Sequence, residues 1–239
     1  MKLGIVLPQR ALRPDALLGA ARAAEEAGLD SIWVEDHLLG RPDPTRPVLE
    51  GWTALAAAAA VTRRVTVGTL VLRVGLRNPQ VLVSMARTLN LISHGRLIVG
   101  LGIGDSSVLG EHRDHGIPFA AKARRVTELR RTIEMLKKAL PQVPVWVGGS
   151  SKEILETLPL ADGWNGWGLS EGFPQAADRA REAAGKPIEV SWGGMSRHFD
   201  TQILVSADAG HAIVAAGPAN YQEKIDFLAS KLKYPPGVS

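Results

Sequence analysis

Short apolar runs alternate with longer stretches of helical spacing along this chain. Residues 3–7 form a β-favouring run ended by Pro8 and predict a first strand. A helix follows, with Pro14 and Asp15 suited to its opening, Leu17, Leu18, Ala21 and Ala24 on its buried side, and Gly28 at its close. Ile32, Trp33 and Val34 then read as a buried strand that ends abruptly in Glu35, Asp36 and His37. A polar loop rich in Pro and Arg spans residues 40–47. A second helix is predicted over 53–62, a third strand over 65–72 interrupted by Gly68, and a third helix over 79–92. A glycine inside a strand predicts a bulge or a close backbone approach. The fourth strand, 97–101, runs straight into Gly102-Ile-Gly-Asp-Ser-Ser107. After a long helix comes 143–147, followed by Gly148-Gly-Ser-Ser151 and another helix, and 164–167 and 188–192 read as further strands.

Repeated strand–helix units with crossovers of this length imply a parallel sheet. A closed (β/α)8 barrel and an open doubly wound sheet compete. No G-x-G-x-x-G follows the first strand, and glycine-rich ends recur after strands four and five, which suits loops converging on the mouth of a barrel. The expectation is a single α/β domain over residues 1–239, a TIM-type (β/α)8 barrel with parallel strands, shortened at its C-terminus. Seven strands are readily counted. The eighth could come from 201–205 or from 212–215, and residues 234–239 are expected to form no strand.

Composition narrows the function. The hydrophobic content of 45% supports a large core, and the absence of cysteine excludes disulfides and thiolate chemistry. The N-terminal apolar run is too short for a signal peptide, and the alanine-rich run 54–61 is far below the roughly 20 residues that span a bilayer, so a cytoplasmic protein with no membrane partner is expected. Twenty-eight basic residues against 24 acidic ones are a small excess. The densest basic segment, 122–138, has Val126, Leu129, Ile133, Leu136 and Leu140 at helical spacing and no interleaved aromatics, which describes a solvated helix face and argues against nucleic acid.

Candidate chemistry gathers at predicted strand ends. Gly148, Gly149, Ser150 and Ser151 precede a helix, where free N–H groups stabilise an anion such as phosphate, although a plain Ser cap uses the same residues. The loop Gly102–Ser107 exposes main chain on which a flat ligand can lie. With His37 and Gly68 these define a pocket with a phosphate end, a backbone-lined floor and one titratable ring, while Asp36-His37 could equally cap the next segment. No metal site is expected: the six histidines form no H-x-x-x-H, and His112 and His115 fall in a polar loop without obvious carboxylate partners. No G-x-S-x-G elbow supports a serine hydrolase.

Five segments occur in order: Trp33-Val-Glu-Asp-His37; Val67-Gly-Thr-Leu-Val71 with Leu76-Arg-Asn-Pro79; Gly95-Arg-Leu-Ile-Val-Gly-Leu-Gly-Ile-Gly104; Pro144-Val-Trp-Val-Gly-Gly149; and Ala161-Asp-Gly-Trp164. Together they resemble the bacterial luciferase-like superfamily of TIM-barrel oxidoreductases, and in particular its branch that uses the deazaflavin coenzyme F420, such as methylenetetrahydromethanopterin reductase. Gly104-Asp-Ser-Ser107, Leu109-Gly110 and Gly116-Ile117 look closest to the reductase, and the resemblance covers about residues 1–195.

The resemblance implies an F420-dependent oxidoreductase acting on a small organic molecule, with an FMN-dependent monooxygenase and a non-catalytic flavin-binding protein as alternatives, and a homodimer as the usual assembly. It implies that Asp36 and His37 lie beside the reactive ring, His37 as acid/base. It places a non-prolyl cis peptide at Leu70–Val71 behind the ring, Asp105 and Ser107 near the ring's polar edge, and the cofactor phosphate on Gly148, Gly149 and Ser150. Where relatives that oxidise glucose 6-phosphate have a carboxylate in the loop after strand four, this chain has Ser107, which disfavours that substrate. The missing insert before Pro144 and the short C-terminal region imply either a barrel completed unusually, with a partner chain contributing, or an unusually open site.

Overall fold

The computed structural model describes residues 1–10, 14–40, 43–217 and 219–233. Arg41 and Pro42 of the polar loop, and the expectation of no strand over 234–239, lie outside them. In chain order the main elements are β1 (Lys2–Val6), α1 (Pro14–Glu26), β2 (Ser31–Val34), α2 (Gly51–Val61), β3 (Thr66–Thr69), β4 (Leu72–Arg73), α3 (Pro79–Ile92) and β5 (Leu97–Gly102). Then come α4 (Leu109–Asp114), α5 (Lys122–Ala139), β6 (Val145–Gly148), α6 (Lys152–Leu155), β7 (Gly163–Trp167), α7 (Phe173–Ala184), β8 (Glu189–Gly194), α8 (Thr201–Ser206), β9 (His211–Ala215) and α9 (Tyr221–Lys233).

All strand pairings are parallel, and β3 pairs with both β2 and β5 while β9 pairs with both β8 and β1, so the sheet closes on itself. Segments β3 and β4 are two parts of one stave, which gives the eight-stranded TIM-type barrel. The eighth stave is β9, supplied by the chain itself. The alternative segment, 201–205, is helical instead: Asp200 accepts from Gln202 N (2.8 Å) and Ile203 N (3.1 Å), and this N-cap turns an apolar run into the first turn of α8. The short C-terminal region thus completes the barrel without a second chain.

The interruption predicted at Gly68 lies two residues further on. Gly68 stays in register, opposite Trp33 and Ile98, and its hydrogen is needed because a Cβ there would stand 2.3 Å from the Trp33 ring. The stave breaks at Leu70–Val71, whose peptide bond is cis. Gly68 faces Ile98 but Leu72 faces Leu101, so four steps on one strand answer three on the other, as in a bulge. Helix α2 begins earlier than predicted because Glu50 caps it, accepting from Trp52 N and Thr53 N.

Two apolar layers hold the fold. Between barrel and helices lies the large core, into which α5 inserts Leu129, Ile133 and Leu136 while its basic face stays outside. Inside the barrel, Val6, Trp33, Leu70, Ile98, Trp146 and Ile213 form a plug in which Trp33 and Trp146 stack at 5.1 Å. The plug gives the mouth of the barrel a solid floor. Among the described residues, no helix is long and apolar enough to cross a membrane.

Candidate active site at the carboxyl mouth of the barrel

A cavity of about 930 Å³ opens above that floor, lined by residues of β4 and β7 and by the segments that follow β1, β2, β3, β5, β6, β8 and β9. His37 stands in its wall. Its Nδ1 lies 2.8 Å from Glu111 Oε1, and Glu111 Oε2 accepts from the Leu38 N–H at 2.9 Å and from Arg73 Nη2 at 2.6 Å. The same Arg73 nitrogen donates to the Asp36 carbonyl (2.6 Å), and the Arg73 N–H donates to the Asp36 carboxylate (2.9 Å). Arg77 grips that carboxylate with two bonds, of 2.9 and 2.8 Å, and also pairs with Glu50 at the head of α2. Two sets of ion pairs, Glu50–Arg77–Asp36 and Arg73–Glu111, are thus joined through the main-chain groups of Asp36 and Arg73, and the second ends at the imidazole.

Each link in this chain has a local reason. The loop after β2 is drawn back to the barrel by Asp36, α4 carries Glu111 over the mouth, and the stave break sends Arg73 inward. Burial works to raise the Glu111 carboxyl, but the His37 bond, the Leu38 N–H and the Arg73 guanidinium outweigh it and hold the group at about 2. With Nδ1 engaged, Nε2 is the ring nitrogen of His37 left for a ligand in the cavity. Arg73 Nε and Nη1 are buried with no protein partner, donors beyond those the network uses.

The floor is unusually smooth. Val71 rests over three glycines: a Cβ at Gly100, Gly102 or Gly148 would meet its side chain at 3.2, 2.6 and 2.9 Å. Gly149 has φ +118°, and a Cβ there would stand 2.7 Å from Ile154.

Of the residues singled out from the sequence, Asp36, His37, Leu70, Val71, Asp105, Ser107, Gly148 and Gly149 are brought to the one cavity. Ser150 is exposed and stands outside its lining, and the helix after it is the single turn α6, so little dipole is available there. Asp36 lines the wall with both carboxylate oxygens engaged, which makes it a brace for the His37 loop. Asp105 caps the turn that follows β5, accepting from Ser107 N at 2.8 Å and from Ser107 Oγ, so this loop does bring a carboxylate to the cavity. His112 lies in a helix and not in a polar loop. It is buried edge-on to Phe119, and burial with the nearby Arg73 charge lowers its pKa. Its neighbour Glu111 is the carboxylate that serves His37.

Sequence reasoning did not find Glu111, Arg73 or the wall formed by Asn165, Trp167, Arg197 and Lys224. Arg73 carried a signal, an arginine ending an apolar strand. Glu111 is separated from His37 by 74 residues, and no local pattern links them.

The family model described as luciferase-like monooxygenase matches residues 1–234. An F420-dependent glucose-6-phosphate dehydrogenase of Amycolatopsis mediterranei is 34% identical over 163 residues, 65% of this chain and 46% of the relative. The enzyme of the same name from Kineococcus radiotolerans is 36% identical over 141 residues, 58% of this chain and 40% of the relative. The chain thus spans less than half the length of these two curated relatives. Among solved structures, the coenzyme F420-dependent tetrahydromethanopterin reductase of Methanopyrus kandleri superposes with a TM-score of 0.76 at 16% identity, covering 95% of this chain and 97% of that one. At that identity the likeness speaks for the fold.

Proposed function

Because this chain belongs to the luciferase-like monooxygenase family, we propose that it is an oxidoreductase that binds coenzyme F420 in the mouth cavity and exchanges a hydride between that ring and a small organic substrate. The observation that carries this reading is His37, fixed through Nδ1 by a buried carboxylate, beside a backbone-lined floor in a cavity of about 930 Å³. That volume is near the upper end for small-molecule sites and suits a tricyclic cofactor with a small second ligand.

The residues present fit such a cofactor. Leu70 and Val71 offer a flat apolar floor over the three glycines, and Gly148 and Gly149 bring main chain to the end of β6, where the phosphate would be held. The unpartnered Arg73 nitrogens add buried hydrogen-bonding capacity to the same wall. When bound, the deazaflavin supplies the two-electron chemistry. The chain's own share is position and one proton. Glu111 sets the tautomer and orientation of His37, so that Nε2 exchanges a proton with the substrate as its oxidation state changes. Asp36, held by Arg77, fixes the loop that carries the ring. Titration of the cofactor-free protein with F420 and with FMN tests the assignment.

We also propose a cytoplasmic homodimer. Supporting the pairing is an apolar groove of about 300 Å³ between α2 and α3, lined by Trp52, Val81, Met85, Leu89 and Ile92, with Val81 53% and Ile92 41% exposed. Self-association would cover it.

A further inference from the structure

The acids of the cavity wall are each answered by protein. Glu35 pairs with Arg10 at 2.8 Å, Asp36 with Arg77, and Asp105 caps its own turn. Arg73, among the lining cations, is answered by Glu111. Two lining cations have weaker company. Arg197 Nε donates to Nε2 of His198 at 3.2 Å, both side chains being exposed, and Lys224 Nζ reaches Glu223 at 2.7 Å, a carboxylate 70% exposed. The Lys224 side chain is only 15% exposed, but the carboxylate that answers it stands in solvent, where screening weakens its hold on the lysine.

Both cations stand on one side of the mouth. Arg197 lies three residues beyond β8, and Lys224 sits in the first turn of α9, after β9. These are the last two staves, the end of an eightfold barrel at which anionic groups are frequently bound. Trp167, at the end of the neighbouring β7, also lines the cavity, is 43% exposed, and rests against the Gly193 main chain, where a Cβ would stand 2.6 Å from the indole. A large aromatic surface left open in a cavity wall beside two cations describes a site for a ring bearing an anionic group.

We propose that this wall is the substrate subsite and that it takes an organic anion, a phosphate ester or carboxylate, with its charged group held by Arg197 and Lys224 and its flat carbon face on Trp167. The word substrate rests on the hydride-transfer reading above; the binding itself does not. The same wall could instead hold an acidic part of the cofactor, and the test separates the two.

Calorimetric titration of the full chain with phenyl phosphate, inorganic phosphate and uncharged benzyl alcohol, each with and without saturating F420, decides it. Phenyl phosphate should bind at least ten-fold more tightly than benzyl alcohol in both conditions. The double variant Arg197→Gln/Lys224→Gln should lose that advantage, Lys224→Arg should keep it, and Trp167→Ala should weaken phenyl phosphate while leaving inorganic phosphate unchanged. Retention of the advantage in the double variant would overturn the proposal, as would displacement of phenyl phosphate by F420. If F420 fails to bind while the double variant still abolishes the advantage, the subsite stands and the cofactor assignment falls.

Discussion

Glu111 Oε1 lies 2.8 Å from His37 Nδ1, joining helix α4 to the end of β2 across 74 residues of chain. The carboxylate is itself held by the buried Arg73, so the imidazole is the outermost member of a buried ion pair that main-chain hydrogen bonds tie to Asp36. A ring fixed in this way is prepared to move a proton at Nε2 and contributes little to gripping a cofactor. Replacing His37 by Ala should therefore lower turnover by about 10²–10⁴-fold, with the F420 dissociation constant changed by no more than a few-fold. Steady-state kinetics beside a binding titration measures both. Unchanged turnover would remove His37 from the chemistry, and tight F420 binding by the wild type without turnover on any substrate would favour a non-catalytic flavin-binding protein.

The same carboxylate makes an acid-stability prediction. Its pKa is held at about 2, below its ordinary 4.5, so its contribution is complete above pH 4.5 and is lost as pH falls toward 2. The full effect is on the order of 3 kcal/mol. Stability of the wild type in urea unfolding should fall between pH 4.5 and 2, and Glu111→Gln should flatten that dependence. The variant should also be less stable at pH 7, by a few kcal/mol, because it leaves the buried Arg73 without its counter-charge. Parallel pH profiles would show that Glu111 does not carry this linkage.

The glycine shelf predicts a binding defect without a folding defect. In Gly148→Ala the new methyl stands 2.9 Å from Val71 Cγ1, and the valine must shift against the floor of the cavity. F420 affinity should fall by about ten-fold with the circular dichroism spectrum retained, since an error of this size displaces the ligand more than the barrel. Gly110→Ala, where nothing lies within 4 Å of the added methyl, is the control and should bind normally.

Much of this architecture is legible in the sequence because strand cores and helix faces are local patterns. Ile32, Trp33 and Val34 are buried on both faces, and the apolar spacing of 122–138 is that of α5. The mouth residues follow from the same logic, since a barrel brings successive strand ends together. Two kinds of feature escape. Residues 201–205 carry a strand-like run, and only the cap from Asp200 makes them α8. Glu111 and Arg73 matter through partners distant in sequence, Leu38 and His37 for one and Asp36 for the other, and these pairings exist only once the staves are in register.

The apolar groove between α2 and α3 gives the assembly prediction. Val81→Asp places a charge on its exposed rim and should shift the protein from dimer to monomer in sedimentation velocity while leaving the thermal midpoint of the monomer fold nearly unchanged. A wild type that sediments as a monomer at micromolar concentration would remove the basis for the pairing.

The most direct test of the central claim is a parallel fluorescence titration of cofactor-free protein with coenzyme F420 and with FMN. Tight, saturable binding of F420 with FMN at least ten-fold weaker is the expected result, and it would narrow the substrate search to two-electron couples. Preference for FMN would move the chemistry to oxygen activation on the same barrel, and binding of neither would contradict the assignment of the mouth cavity as a deazaflavin site.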